Sequence, residues 1–425
     1  MAEPLIILII FLALCILGMP IGFAIGVTTW MAFLILDGSM IVLAQKLFSG
    51  INSFSYLCIP LFILAAEVMS KGNLIQRIGD FFQALVGHVR GGLAYVNVLN
   101  SMVFAGISGS ATADMASLGL IEVNMMHAAG YDRSFAACVS AASATIAPLI
   151  PPSTVMIIFA SAVGGVSIGK LFMGGLIPGI LYGVAQMVLC GIYAKKFQQK
   201  RTKRCTLKEL AKEFKKVLPV LVLPAIIMGS IVTGICTATE AGALAVLYAV
   251  VITFIGKNMN IKKLYDCLII TARLSSSVLF LIATASAMGW VITALQIPQD
   301  ITNFCLQYIK SETVFLLFLN ILLFIVGCLM ECAPATLLLA PILYPVAMNY
   351  GIDPIHFGIV FCMNLTIGLI TPPIGLMLFV SSNVTGIKLS VMYKRIWPFV
   401  ISGLVVCLLT TYIPILSTWL PSVMK

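Results

Sequence analysis

Charged side chains are absent from long stretches of this chain. No Asp, Glu, Lys or Arg occurs in 4–36, 134–169, 171–194, 217–239, 274–299, 313–330, 332–352, 354–387 or 396–424. A helix that crosses a bilayer needs ~20 apolar residues, so several of these runs fit one crossing and others are too long for one. None shows the ~10-residue alternation of a membrane β-barrel strand. Backbone groups in hydrocarbon must then be satisfied within helices. The pattern predicts an all-α polytopic membrane protein.

The runs fall into two similar series. The first has spans near 4–17 and 20–36, split by Gly18-Met19-Pro20, then a surface helix at 38–50 and a span at 52–70. A helical hairpin over about 91–128, a broken helix over 134–165 and a span at 171–194 complete it. The second has spans near 217–236 and 238–256, an amphipathic surface helix at 258–266, and a span at 267–294. A hairpin over about 313–348, a broken helix over 355–385 and a span at 396–420 follow. A shift of 221 residues aligns the two without gaps: Gly106 with Gly327, Gly130 with Gly351, Asp132 with Asp353, Thr145-Ile146 with Thr366-Ile367, Pro151-Pro152 with Pro372-Pro373, and Gly165 with Gly386. The expected organisation is a first repeat (1–194), a basic loop (195–216) and a second repeat (217–425).

Charge orients the repeats. The segment 195–216 holds ten Lys/Arg and two Glu, which reads as a cytoplasmic loop. With that loop inside, twenty Lys/Arg lie on the cytoplasmic side and four (Lys46, Lys170, Lys310, Lys425) outside, while Arg273 falls in or beside a span. The two repeats then enter the membrane from opposite sides, with the first hairpin re-entering from the cytoplasm and the second from outside.

Composition narrows the class. Of 425 residues, 61% are hydrophobic and 9% charged, against ~25% charged in soluble chains. The net charge of +10 is concentrated in the basic loop, so it is no nucleic-acid signal. The start, Met1-Ala2-Glu3, lacks the basic region of a cleavable signal. The twelve cysteines are scattered through apolar segments and read as small hydrophobes without disulfides. The three histidines, His88, His127 and His356, lie near membrane edges in no metal-ligand spacing, and no phosphate-binding glycine loop marks a nucleotide motor.

Interrupted helices mark the candidate site, because irregular backbone at membrane depth must be buried or line a cavity. The first hairpin turns at Gly106-Ile107-Ser108-Gly109-Ser110-Ala111-Thr112, and the first broken helix parts at Ala147-Pro148-Leu149-Ile150-Pro151-Pro152-Ser153-Thr154. The second set is Gly327-Cys328-Leu329-Met330-Glu331-Cys332-Ala333-Pro334-Ala335-Thr336 and Gly368-Leu369-Ile370-Thr371-Pro372-Pro373. A half-helix that ends there offers carbonyls, and one that begins there offers N–H groups. Carbonyl and hydroxyl oxygens suit a hard cation such as sodium, and N–H ends suit a carboxylate. One sodium site is expected from Ser108, Ser110 and Thr112 with Ala147, Pro148 and Pro151. A second is expected from Cys332, Pro334, Thr336, Gly368, Thr371 and Pro372. Arg273, Ser153, Thr154 and Pro373 are the substrate candidates; for Arg273 the competing reading is an ion pair or a side chain reaching the membrane edge. Asp114 reads equally as a residue orienting the first sodium loop or capping the second hairpin helix. Glu67 and Glu240 read as structural, and Glu331 as solvated.

Together, Gly106–Asp114 (Gly-Ile-Ser-Gly-Ser-Ala-Thr-Ala-Asp), Ala147–Ser153, Thr237–Ala243, Thr271-Ala272-Arg273 and Ile370–Gly375 resemble the large, DctM-type membrane subunit of tripartite ATP-independent periplasmic (TRAP) transporters, over essentially the whole chain. The resemblance implies an inverted-repeat, elevator-type ion transporter fold with two re-entrant hairpins and two broken helices. It implies a multi-pass location in a bacterial inner membrane and sodium-coupled uptake of an organic acid of the C4-dicarboxylate or sialic acid class. It also implies two partners: a small four-helix (DctQ-type) membrane subunit, expected as a separate polypeptide, and a periplasmic substrate-binding protein. The second tip, Glu331-Cys332-Ala333-Pro334, lacks the serines of the first, so carbonyls carry more of that site.

Three other readings remain open at this point. A stand-alone divalent-anion/sodium symporter or proton-driven antiporter would share the architecture, and a channel would not need two opposed hairpins. An intramembrane serine protease fits Gly106-Ile107-Ser108-Gly109, but a serine nucleophile needs a base within reach and no His falls at that depth.

Overall fold

The computed structural model describes residues 2–194 and 204–424. The first half runs α1 (Ala2–Ile16), α2 (Ile21–Ile35), α3 (Met40–Ile51), α4 (Cys58–Lys71), α5 (Ile75–Val86), α6 (Gly92–Ser108), α7 (Ala111–Asp114), α8 (Leu120–Ala128), α9 (Arg133–Ala144), α10 (Thr154–Val163) and α11 (Ile168–Tyr193). A π-turn, Met115–Gly119, joins α7 to α8, so these form one bent arm. The second half runs α12 (Leu207–Val232), α13 (Ala238–Ile255), α14 (Ile261–Ala294), α15 (Ile297–Tyr308), α16 (Glu312–Leu329), α17 (Cys332–Asn349), α18 (Pro354–Gly368), α19 (Leu376–Thr385), α20 (Leu389–Arg395), α21 (Trp397–Tyr412) and α22 (Ile415–Val423). No strand occurs among the described residues, and seven of the helical stretches are long and apolar enough to cross a membrane.

The two hairpins (α6 with α7–α8, and α16 with α17) and the two broken helices (α9/α10 and α18/α19) are present. Matched residues do matched work. Asp132 caps α9 by accepting from Ser134 N (2.9 Å) and Phe135 N (3.0 Å). Asp353 caps α18 by accepting from Ile355 N and His356 N, both at 2.9 Å. Gly130 and Gly351 before them both take positive φ, 95° and 77°, where only glycine is unstrained. Asp132 also pairs with Arg395 at 2.7 Å. Partial burial alone would raise its pKa; the Ser134 and Phe135 donors and Arg395 reverse this and hold that pKa below the ordinary carboxylate value.

Three elements differ from the hydropathy reading. The surface helix at 258–266 and the span at 267–294 are one continuous 34-residue helix, α14, capped by Asn260 on Lys263 N (2.7 Å). In the first half Asn52 and Ser53 end α3 before α4 begins. The matching positions here are Arg273 and Leu274, which interrupt nothing, so the helix runs through. The basic segment is not loop throughout: Leu207 opens α12 behind a Thr206/Glu209 capping box, a start signal that the charge pattern hides. Residues 195–203 of that segment lie outside the described residues. The span at 396–420 is α21 plus α22. A 51° bend separates α20 from α21 near Pro398, whose missing N–H weakens the join.

Two amphipathic helices escaped the hydropathy reading altogether. α5 buries Ile75 and Ile78, and α15, with Pro298 in its first turn, buries Cys305. Each joins an outer helix (α4, α14) to a hairpin (α6, α16).

Packing divides the molecule. α2, α3 and α4 pack on α14, α4 packs on α13, and α12 on α13 and α5. The hairpins and broken helices interlock across the halves: α10 packs on α17, and α19 on the π-turn and α9. Arg133 reaches Thr385 O (3.3 Å) and Ser381 donates to Ala137 O (3.3 Å), both from one half to the other.

Candidate ion and substrate site

The first hairpin tip rests on the first helix break. α6 stops at Ser108 because Gly109 turns left-handed (φ 59°). The Gly109 carbonyl then accepts from Thr154 N (3.4 Å) and Thr154 Oγ1 (3.1 Å) at the start of α10. Contact is so close that a Cβ on Gly109 would sit 2.0 Å from the Pro152 carbonyl oxygen. The Pro151-Pro152 bond is cis, as is Pro372-Pro373.

Oxygen groups cluster at this junction. Ser110 Oγ and Thr112 Oγ1 lie 3.0 Å apart, and Ser110 caps α7 by accepting from Ala113 N (3.5 Å). Ser108 is buried with its Oγ 3.5 Å from Ser110 N. Ala147 and Pro151 carbonyls receive no hydrogen bond among the described residues, so their lone pairs are open. Pro148 differs: its carbonyl accepts from Ser153 Oγ at 2.6 Å. Ser153 is fully buried and also accepts from Met156 N (3.3 Å), so it closes the break internally. Thr154 is likewise engaged with Gly109.

The second junction has the same plan with fewer hydroxyls. Gly375 N, which matches Thr154 N, donates to Cys328 O at 3.3 Å. Gly327 and Gly368 meet backbone to backbone, and a Cβ on Gly368 would fall 2.4 Å from the Gly327 carbonyl carbon. Thr336 Oγ1 donates to Cys332 O (2.7 Å) and Thr371 Oγ1 to Ile367 O (3.0 Å). Both hydroxyls are buried, and having spent their protons they keep oxygen lone pairs for a cation. Cys332 and Pro334 lie in the first turn of α17. Their carbonyls point into the helix, so that end offers N–H groups instead. The Gly368 carbonyl accepts from Thr371 N (2.8 Å), whereas the Pro372 carbonyl receives nothing among the described residues. Pro373 O accepts the Tyr393 hydroxyl at 2.7 Å.

The remaining candidates lie elsewhere or act locally. Arg273 is exposed on α14, and the structure does not bring it to either junction. Asp114 caps nothing: it is 1% exposed, its carboxylate accepts no hydrogen bond, and the neighbouring Ser101 hydroxyl donates to Ser143 instead. Glu240 completes a capping box with Thr237 (2.8 Å) at the start of α13. Glu331 is exposed at the second tip.

A group of polar residues that hydropathy did not single out fills the space between α6, α8 and α9: Asn97, Asn100, Ser101, Glu122, Ser140 and Ser143, all buried. Their spacing is legible, since Asn97, Asn100 and Ser101 stand at i, i+3 and i+4 on one helix face.

Comparison with known proteins fixes the class. The family model described as "Tripartite ATP-independent periplasmic transporter, DctM component" matches residues 8–416. The chain is 41% identical over 381 residues to the C4-dicarboxylate TRAP transporter large permease protein DctM of Pseudomonas aeruginosa, covering 89% of each chain. It is 36% identical over 413 residues to the sialic acid TRAP transporter large permease protein SiaM of Vibrio cholerae, covering 96% of each. Among solved structures, the YdaH transporter of Alcanivorax borkumensis shares the fold, with a TM-score of 0.64 over 88% of each chain at 13% identity. These relatives are permease subunits rather than enzymes, which overturns the protease reading; His127 and His356 are hydrogen-bonded to Tyr131 O and Ser417 and not to the tip serines. Large permease subunits of this kind work with a small membrane subunit and a periplasmic binding protein. This multi-pass membrane protein belongs to the DctM family, the large permease subunits of TRAP transporters.

Proposed function

We propose that this subunit uses sodium entry to drive uptake of a small organic acid of the C4-dicarboxylate or sialic acid class across a bacterial inner membrane. A periplasmic binding protein delivers the acid, and a four-helix small subunit braces the scaffold. Relatives named for these two substrate classes support the class of acid.

The observation that carries sodium coupling is the duplicated seating of a hairpin tip on a helix break: Thr154 on Gly109 in one half, Gly375 on Cys328 in the other. Each seat gathers hydroxyl and carbonyl oxygens, the ligand type of a hard cation, with no carboxylate shared by both tips. The N-terminal ends of α10, α17 and α19 lie at the junctions, and although Thr154 N, Met156 N, Gly375 N and Met377 N are already bonded, an organic carboxylate there gains from the helix dipoles. The first site draws on Ser108, Ser110, Thr112, Ala147 and Pro151, and the second on Thr336, Thr371 and Pro372 with the C-terminal end of α16.

The hairpins and broken helices move as one body against α1–α4 and α12–α14. Bending the hairpins open would expose unpaired backbone to lipid, whereas sliding the whole unit keeps it paired. A cleft of about 670 Å³, lined by Phe11, Met288, Met330 and Leu338 among others, lies where α1, α14 and the second hairpin meet.

The test is substitution of the hydroxyls. Ser110→Ala and Thr371→Ala each remove one cation oxygen at a cost of about 1–3 kcal/mol, which is roughly five- to a hundredfold in apparent sodium affinity. Uptake should need correspondingly more sodium while the protein stays folded. Unchanged sodium dependence in both variants contradicts the assignment.

A further inference from the structure

Glu122 and the amides beside it inside the first hairpin have apolar residues at the matching positions of the second. Asn97 Nδ2 donates to Ser140 Oγ (2.6 Å), and Ser143 Oγ donates to Asn97 Oδ1 (2.8 Å). Asn100 Nδ2 donates to Glu122 Oε1 (3.3 Å), and Ser140 Oγ to Glu122 Oε2 (3.4 Å). Glu122 is 3% exposed and Asn100 4%. A shift of 221 residues takes Asn97, Asn100, Ser101, Glu122 and Ser140 to Phe318, Ile321, Leu322, Leu343 and Phe361. Ser143 goes to Asn364, which donates to Asn320 of α16 (2.6 Å), so the second corner keeps an amide pair but no carboxyl, and the fold does not require one there.

The cluster is also unfinished. The ion pairs among the described residues are Lys216–Glu213 and Arg395–Asp132, so neither Glu122 nor Asp114 has a cationic partner. The oxygen of the Asn100 amide, on the same carbon as the nitrogen that holds Glu122, is buried with no donor, as are both Asp114 oxygens. A buried carboxylate without a partner is strongly unfavourable, and each unfilled acceptor adds to the cost. Apart from the Met126 sulfur, 3.7 Å from Asn97 Nδ2, the available ligand atoms are carboxylate, amide and hydroxyl oxygens, which suit a hard cation rather than a soft transition metal.

We infer that Glu122, with Asn100, Asn97, Ser101 and Ser140 around it, holds a sodium ion inside the first hairpin, separate from the ion at the tip. The inference rests on sodium coupling. Asp114, also buried without a partner and near enough to Glu122 to interact with it, adds a second carboxyl to the same pocket.

Equilibrium binding of radioactive sodium to the complete purified transporter, at fixed pH, tests this. Glu122→Gln should bind one sodium ion fewer than the unaltered protein. Glu122→Leu, which installs the residue found at the matching position 343, should do the same and removes the risk that a buried amide prevents folding. Ser110→Ala should weaken a different ion, so that Ser110→Ala combined with Glu122→Leu loses both. Sodium should also change a buried carboxylate band in the infrared difference spectrum of the unaltered, glutamate-labelled protein, a readout that needs no variant. Full sodium stoichiometry in both Glu122 variants, or an infrared spectrum indifferent to sodium, overturns the inner site while leaving sodium coupling intact. If the unaltered protein binds no sodium at all, coupling itself falls and the inner site with it.

Discussion

A disulfide between cysteines placed at Gly106 and Pro224 should stop uptake, and reduction should restore it. A Cβ at Gly106 lies 3.2 Å from Pro224 Cβ, slightly closer than a relaxed disulfide sets it. Gly106 sits near the tip of the first hairpin and Pro224 in α12 of the scaffold. The bond would tie the moving body to the helix it must slide past. The twelve native cysteines have to be replaced first. Each single cysteine variant should transport, since neither alone bridges the two bodies. Cross-linked protein that transports as fast as reduced protein would show that the hairpin never leaves α12, and the moving-body reading would be wrong.

Gly109→Val should have the next largest effect. Valine at φ 59° costs about 1–2 kcal/mol in backbone strain, and its Cβ cannot occupy a point 2.0 Å from the Pro152 oxygen. The tip must lift off the break, and the Thr154 hydrogen bonds to the Gly109 carbonyl go with it. Those losses add about 1–3 kcal/mol. Together they reach roughly 3 kcal/mol, or about a hundredfold in sodium affinity. Gly130→Val, with a similarly positive φ of 95° but at the membrane-edge turn before α9, controls for strain alone and should leave sodium affinity near normal. Equal sodium affinity in all three proteins would separate the tip from cation binding.

Hairpins and broken helices were legible because interruption is written in few residue types. Gly109, Pro151-Pro152 and Pro372-Pro373 stop helices wherever they fall, and the charge-free runs around them say that the stops lie deep. α14 was split wrongly because Lys262, Lys263 and Asp266 suggested a surface helix, yet charge pattern does not break a helix and no Gly or Pro stands between Ile261 and Met288. α5 and α15 were missed because they are short and half polar, below the threshold of any hydropathy reading. At the site, the hydroxyl residues were readable, but the direction of a carbonyl was not. Only the start of α17 at Cys332 shows that residues 332–334 turn their carbonyls into the helix. Arg273 drew notice as an ionisable residue in an apolar run, and nothing in the run says which face it takes. The Glu122 cluster was within reach: the same alignment that pairs the proline breaks sets Asn97 and Asn100 against Phe318 and Ile321.

The decisive measurement is uptake into proteoliposomes that contain the complete membrane complex, with the loaded binding protein outside. Sodium coupling predicts accumulation when an inward sodium gradient is imposed, and none when sodium is replaced by potassium and only a proton gradient is present. Accumulation at an undiminished rate in sodium-free medium, driven by protons alone, would contradict it.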